Sequence, residues 1–180
     1  MELILILSGI SILPLLFWGI YTQSKVKDVY RIFSKEKLSK GITGTRLART
    51  MLNDNGLENV IVEEVSGSLS DHYDPAHKVV RLSREVARGT SIAACGIAAH
   101  EAAHAVQDGS NFGLVRLRDK MVPVVQKGAF LILPLIFLGI LFGKLLISGF
   151  LINLALFLYI LVVIFYLVTL PVEFDASRRA

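Results

Sequence analysis

Three runs without a single charged residue constrain this chain more than any other feature. They cover residues 3–24, 128–143 and 145–172, which is 22, 16 and 28 positions. A helix of roughly 20 apolar residues crosses a bilayer. Charged residues make up 19 % of the chain, against about 25 % in a soluble globular domain. Disorder and an ordinary soluble enzyme are both excluded. What remains between the first and second runs is about 100 residues, enough for one small domain.

The first run follows Met1 and Glu2 and ends near Trp18 and Tyr21. A signal peptide would start with a basic segment and end at a small-residue cleavage site. Aromatic residues at the far end suit a membrane interface instead. Residues 1–24 therefore read as an uncleaved anchor. Lys25, Lys27, Arg31, Lys35, Lys37 and Lys40 follow it, and no basic residue precedes it. The positive-inside rule places the N-terminus outside and residues 25–121 in the cytoplasm. The other two runs read as a hairpin over 122–170, with spans at 122–142 and 150–170 and Lys144 in a tight external turn. Arg116, Arg118 and Lys120 precede this hairpin, and Arg178 and Arg179 follow it. Both its ends are therefore expected inside. Residues 171–180 begin a further helix. Membrane orientation accounts for the net charge of +4, so no nucleic-acid partner is expected. The chain reads as an α-helical multi-pass protein of the cell membrane, with three transmembrane helices and a small cytoplasmic α+β domain.

Within that domain, residues 25–40 pattern as a helix that either lies on the membrane surface or continues the anchor. Residues 43–55 read as a helix capped by Thr43 or Thr45 and stopped by Gly56. Residues 59–65 and 78–83 read as strands, with a turn-rich stretch at 66–75. Ser91 opens a helix that runs to about Asp108. The single cysteine, Cys95, forms no intramolecular disulfide and reads as a buried structural thiol in an Ala-Gly setting. One cysteine also excludes a zinc ribbon.

The helix after Ser91 reads SIAACGIAAHEAAHAVQD. Positions i and i+4 of a helix lie about 40° apart and one turn up. His100 and His104 therefore point the same way and can share one metal at roughly 2.0–2.1 Å per bond. Glu101 projects about 100° from His100, beside the ligands, where a general base acting on water would sit. Chance produces this motif about 0.003 times in a chain of this composition. Incidental core histidines fit poorly, because buried polar groups without partners cost several kcal/mol.

Catalytic zinc normally takes three protein ligands and keeps one position open. His72, His77, Asp71, Asp74, Asp108, Glu173 and Asp175 are the candidates for the third. The segment 71–77 reads first as a turn, since Asp and Pro are ordinary turn residues. Topology favours Glu173. Two membrane passes separate it from His104, which returns it to the same side, and it is the first charge after the last uncharged run.

The segment AAHEAAHAVQ, preceded by DHYDPAHKVVRLS and followed by two spans and LPVEFDASRRA, resembles the YugP-type bacterial membrane zinc metallopeptidases over essentially the whole chain. The architecture also resembles a distant, smaller relative of the HtpX-like membrane proteases. Their third-ligand helix carries Glu-aromatic-x-Ala-Asp, matched here at Glu173, Phe174 and Ala176. Ser177 departs from it, standing where that pattern has Asp. Asp175 lies about 200° round the helix from Glu173 and cannot simply swap roles with it. The resemblance implies a zincin-like domain and a Zn2+-dependent endopeptidase acting on protein or peptide. His100, His104 and Glu173 would be the ligands and Glu101 the base. By analogy, the strand at 79–83 would flank the cleft and pair with substrate backbone. Family members continue past this point, so a helix carrying an oxyanion stabiliser is expected to be missing after Ala180. The alternative is a non-proteolytic membrane scaffold with a structural or vestigial metal site, which would need the histidines but not Glu101. A transporter is disfavoured, because the spans carry no interior ionisable residue.

Overall fold

Backbone chemistry sets the helix starts of the small domain. In the computed structural model, Thr43 stays extended and its hydroxyl accepts the N–H of Arg46 at 3.3 Å, so helix α2 begins at Gly44 and runs Gly44–Asp54. Ser91 does the same for α4 (Ile92–Gly109), accepting the N–H of Ala94 at 3.2 Å. The structure describes residues 2–39, 41–67, 70–110, 112–143 and 145–180, with side chains from Phe17 onward, Leu146 excepted. The remaining elements are α1 (Glu2–Phe33), β1 (Ile61–Val65), β2 (His72–Asp74), β3 (Val79–Ser83), α3 (Arg84–Arg88), α5 (Gly113–Leu141) and α6 (Leu146–Arg179).

Three strands form the sheet, in the order β1-β3-β2. β3 lies parallel to β1, with Ile61 opposite Val79, and antiparallel to β2, with His72 opposite Arg81. The sequence pattern showed only two strands. β2 is three residues long, too short for alternation to register, and it sits among turn residues. β3 is therefore the middle strand, paired on both sides. The expectation that it borders the cleft and pairs with substrate backbone is corrected: both its edges are taken, and β2 is an edge strand of the sheet.

α2 and α4 pack on the sheet. Val80, Leu82, Leu52, Ala48, Ala98 and Ala102 are fully buried together, and each large aliphatic side chain so buried contributes about 2 kcal/mol. The alanines let α4 lie close to its neighbours. Gly44 serves the same closeness, since a Cβ there would stand 2.3 Å from the Val86 carbonyl oxygen. The chain after α1 is stitched to the start of α4, where Leu38 N–H donates to Thr90 O and Ile92 N–H to Glu36 O.

α5 and α6 are long and apolar enough to cross a membrane. A core helix of a soluble protein would be mostly buried, whereas only 17 % and 6 % of their most apolar windows are. They pack on each other through small residues. A Cβ on Gly139 would fall 2.7 Å from Ile152, and Ser148 Oγ donates to Gly139 O at 2.8 Å. The anchor expected over 1–24 lies on α1, with the side chains of its first 16 residues outside the described set. Lys144, expected at the hairpin tip, also lies outside the described residues. Two consequences position the site. α5 begins at Gly113, so Arg118 and Asp119 ride on the same helix as the apolar stretch. α6 continues unbroken through Pro171, so Glu173 sits on the end of that long helix.

Candidate metal centre

His100 and His104 lie one turn apart on α4 with ring centroids 4.7 Å apart and rings nearly perpendicular. Glu173, from α6, faces both. Its Oε2 lies 3.2 Å from His100 Nε2 and 3.5 Å from His104 Nε2. Ligand atoms on a tetrahedron around zinc, at 2.0–2.1 Å from the ion, are about 3.3 Å apart. The two distances fall on either side of that edge. All three ligand atoms lie within 4.8 Å of one another, and this is the group of three among the described residues that could hold a metal ion. Two imidazoles and a carboxylate are donors that zinc accepts, so the residues present fit the ion.

The tautomer of His104 follows from its neighbours. Gln107, fully buried, places its Oε1 3.0 Å from His104 Nδ1. Its Nε2 donates to Val172 O at 2.8 Å and to Asp175 Oδ2 at 2.9 Å. Those two partners are acceptors only, so the amide nitrogen must face them and the amide oxygen must face His104. Nδ1 of His104 therefore carries the proton, and Nε2 presents its lone pair to the centre. Asp175 in turn accepts from Arg179 Nε at 2.7 Å. On the other side, among the described residues His100 Nδ1 has only Ser177 Oγ, at 3.4 Å and exposed.

Glu101 lines the same cleft, a space of about 250 Å³. Burial pushes its carboxyl above the usual carboxylate value, and the nearby His104 and His100 and the backbone N–H of Tyr73 act the other way. Across the cleft stand β2 and its preceding residue, with Asp71, His72 and Tyr73, and the first turns of α5, with Val115, Arg118 and Asp119. Arg118 Nη1 lies 3.9 Å from Glu173 Oε1, the oxygen turned away from the histidines.

Of the candidates for a third ligand, only Glu173 joins the histidines among the described residues. His72 Nδ1 meets Ser70 O at 2.7 Å, and His77 Nδ1 meets Asp74 Oδ2 at 2.7 Å. Asp74 also binds Arg81. Asp71 accepts the N–H and hydroxyl of Ser83. Asp108 accepts Tyr73 Oη–H at 2.7 Å and pairs with Lys78. Asp175 serves Gln107 and Arg179. The segment 71–77 is thus a turn with one short strand rather than a metal loop. Cys95 is buried and directs its thiol at Ile42 O, 3.4 Å away. Sequence reasoning missed Gln107, Arg118, Asp119 and Tyr73. Gln107 alone carried a signal: it follows His104 by three residues, hence one turn along the same face.

A family model described as "Putative neutral zinc metallopeptidase" matches residues 8–180. The chain is similar to a protein of Bacillus subtilis (strain 168) named "Putative membrane protease YugP". The two are 47 % identical over 171 residues, which covers 95 % of this chain and 73 % of the relative. No solved structure matches the chain with statistical significance.

Proposed function

The chain belongs to this neutral zinc metallopeptidase family, and from that premise we propose that it is a membrane-embedded, zinc-dependent endopeptidase whose active site faces the cytoplasm. The observation that carries the reading is the convergence of His100, His104 and Glu173 on one point, with Glu101 beside them in an open cleft. His100, His104 and Glu173 hold the ion in this reading. Zinc, when bound, polarises a scissile carbonyl and makes water acidic enough to supply a nucleophile near neutral pH.

The chain's own residues do the rest. β2 is the edge strand on the cleft side among the described residues, so an extended peptide laid along it brings a backbone carbonyl beside Glu101. Glu101 removes a proton from the attacking water and delivers it to the nitrogen of the scissile bond. The C–N bond then breaks, leaving a carboxylate and an amine. Burial suits Glu101 to this work, because a carboxylate with a raised pKa is a stronger base than one in water. Gln107 holds His104 in the tautomer a ligand needs. The basic residues that follow residue 24, and those around the ends of α5 and α6, support a cytoplasmic site.

The decisive variant is Glu101→Gln. It keeps the size of the side chain and removes its basicity. In detergent-purified protein it should retain wild-type zinc content, while casein hydrolysis falls by about 10²–10⁴. A folded, zinc-loaded Glu101→Gln protein that cleaves at the wild-type rate would overturn the mechanism.

A further inference from the structure

The carboxylates around the cleft are almost all engaged. Glu173 faces the two histidines with one oxygen and Arg118 with the other. Asp71 accepts two hydrogen bonds from Ser83. Asp108, behind the wall, is taken by Tyr73 and Lys78. Glu101 lies beside His104 and His100, whose charges favour its ionised form. Asp119 is the exception. It lines the cleft, is half-buried, and makes no ion pair or hydrogen bond among the described residues.

Its neighbour Arg118 exerts the largest charge effect on it, a favourable one, but forms no ion pair with it among the described residues. Successive residues on a helix project about 100° apart, and the Arg118 guanidinium is turned toward Glu173. Lys78 and His104 lie near enough to be felt, but so does the charge of Asp108, which opposes them. Removing a carboxylate from water without a partner is costly, and proteins pair such groups. A half-buried carboxylate without an ion pair, on the wall of a peptide-sized cleft, is placed to meet a cation that enters that cleft.

We propose that Asp119 is a specificity residue that selects peptides presenting a Lys or Arg side chain beside the scissile bond. The inference rests on the endopeptidase reading above and adds the substrate class. The ammonium or guanidinium of the substrate pairs with the Asp119 carboxylate, while the peptide backbone lies along β2. The cleft, at about 250 Å³, has room for a short stretch of chain rather than a folded partner.

The test uses the full chain, zinc-loaded in detergent, with peptides identical except for Lys, Ala or Glu at the positions flanking the cleavage site. The wild type should cleave Lys peptides about tenfold faster than Glu peptides, the range between an exposed and a buried ion pair. Asp119→Asn should bring that ratio toward one, and Asp119→Lys should invert it. Zinc content of each variant reports whether the fold is intact. A second arm measures binding of labelled Lys-rich and Glu-rich peptides to the Glu101→Gln protein, with and without Asp119→Asn, by fluorescence anisotropy. If the wild type hydrolyses nothing while this binding still prefers Lys peptides through Asp119, the endopeptidase reading fails and the recognition stands. Equal treatment of Lys and Glu peptides in both arms, or a Lys preference that survives Asp119→Lys, overturns the inference.

Discussion

His100 and His104 come from the same helix, one turn apart, yet their surroundings differ sharply. The side chain of His104 is 10 % exposed and that of His100 is 28 % exposed. Behind His104 stands a closed chain of polar groups, Gln107 to Asp175 to Arg179, that also grips the backbone of α6 at Val172. Behind His100 stands one exposed hydroxyl at 3.4 Å. The difference separates two tasks. The His104 side ties the small α+β domain to the long apolar helix, and so sets where Glu173 arrives. The His100 side faces the cleft, with Glu173 as its nearest polar partner among the described residues.

The largest effect expected from breaking this arrangement is at the shared partner. Glu173→Ala removes the one oxygen that lies against both imidazoles. It should abolish stoichiometric zinc binding, measured by metal analysis after gel filtration, and activity with it. If the ligand reading is right, His100→Ala and His104→Ala lose zinc to the same extent, because a two-ligand site binds zinc far more weakly than a three-ligand one. Full zinc occupancy in Glu173→Ala would move the third ligand to another residue.

A smaller effect sharpens the contrast between the two sides. Gln107→Leu keeps the bulk but leaves His104 Nδ1–H without an acceptor and Val172 O without its donor in a buried setting. Loss of an orienting partner behind a metal-bound histidine costs about 10–100-fold in metal affinity. Competition with a chromophoric chelator should show a loss in that range. The comparison predicts that this variant also loosens α6. Limited proteolysis should then cut sooner near Asp175, whereas Glu101→Gln should leave that pattern unchanged.

These residues were not equally legible from the sequence. The His pair and Glu101 were, because a local helical spacing carries all their geometry. Glu173 was reached by counting membrane crossings, which works because charge is so sparse in the apolar runs. Gln107 and Asp175 depend on how α4 meets α6, sixty-eight residues apart in sequence for that bond, and no local pattern encodes such a meeting. β2 was lost for a different reason. A three-residue edge strand has no period to detect, and the parallel pairing of β3 with β1, which leaves β3 no open edge, is not visible from strand signals alone. Asp119 was hidden in a basic stretch that membrane orientation already explained.

The smallest effect lies behind His100, and it has a sign that can be reversed. Ser177→Ala removes a hydroxyl whose distance of 3.4 Å to Nδ1 is at the outer limit of a hydrogen bond, in an exposed place where water can replace it. Zinc affinity should fall by no more than about threefold, well short of the loss at Gln107. Ser177→Asp tests the same contact in the other direction. The HtpX-like pattern carries Asp at this position, and a carboxylate accepting the Nδ1–H of a bound histidine raises the basicity of the opposite nitrogen. The added charge also lies close enough to attract the ion itself. Zinc affinity should therefore rise, by about tenfold if the carboxylate reaches Nδ1. An unchanged affinity in both variants would mean that Ser177 does not support His100, and that Glu173 and the packing of α4 alone orient that imidazole. A loss in Ser177→Ala as large as that in Gln107→Leu would remove the asymmetry between the two histidines.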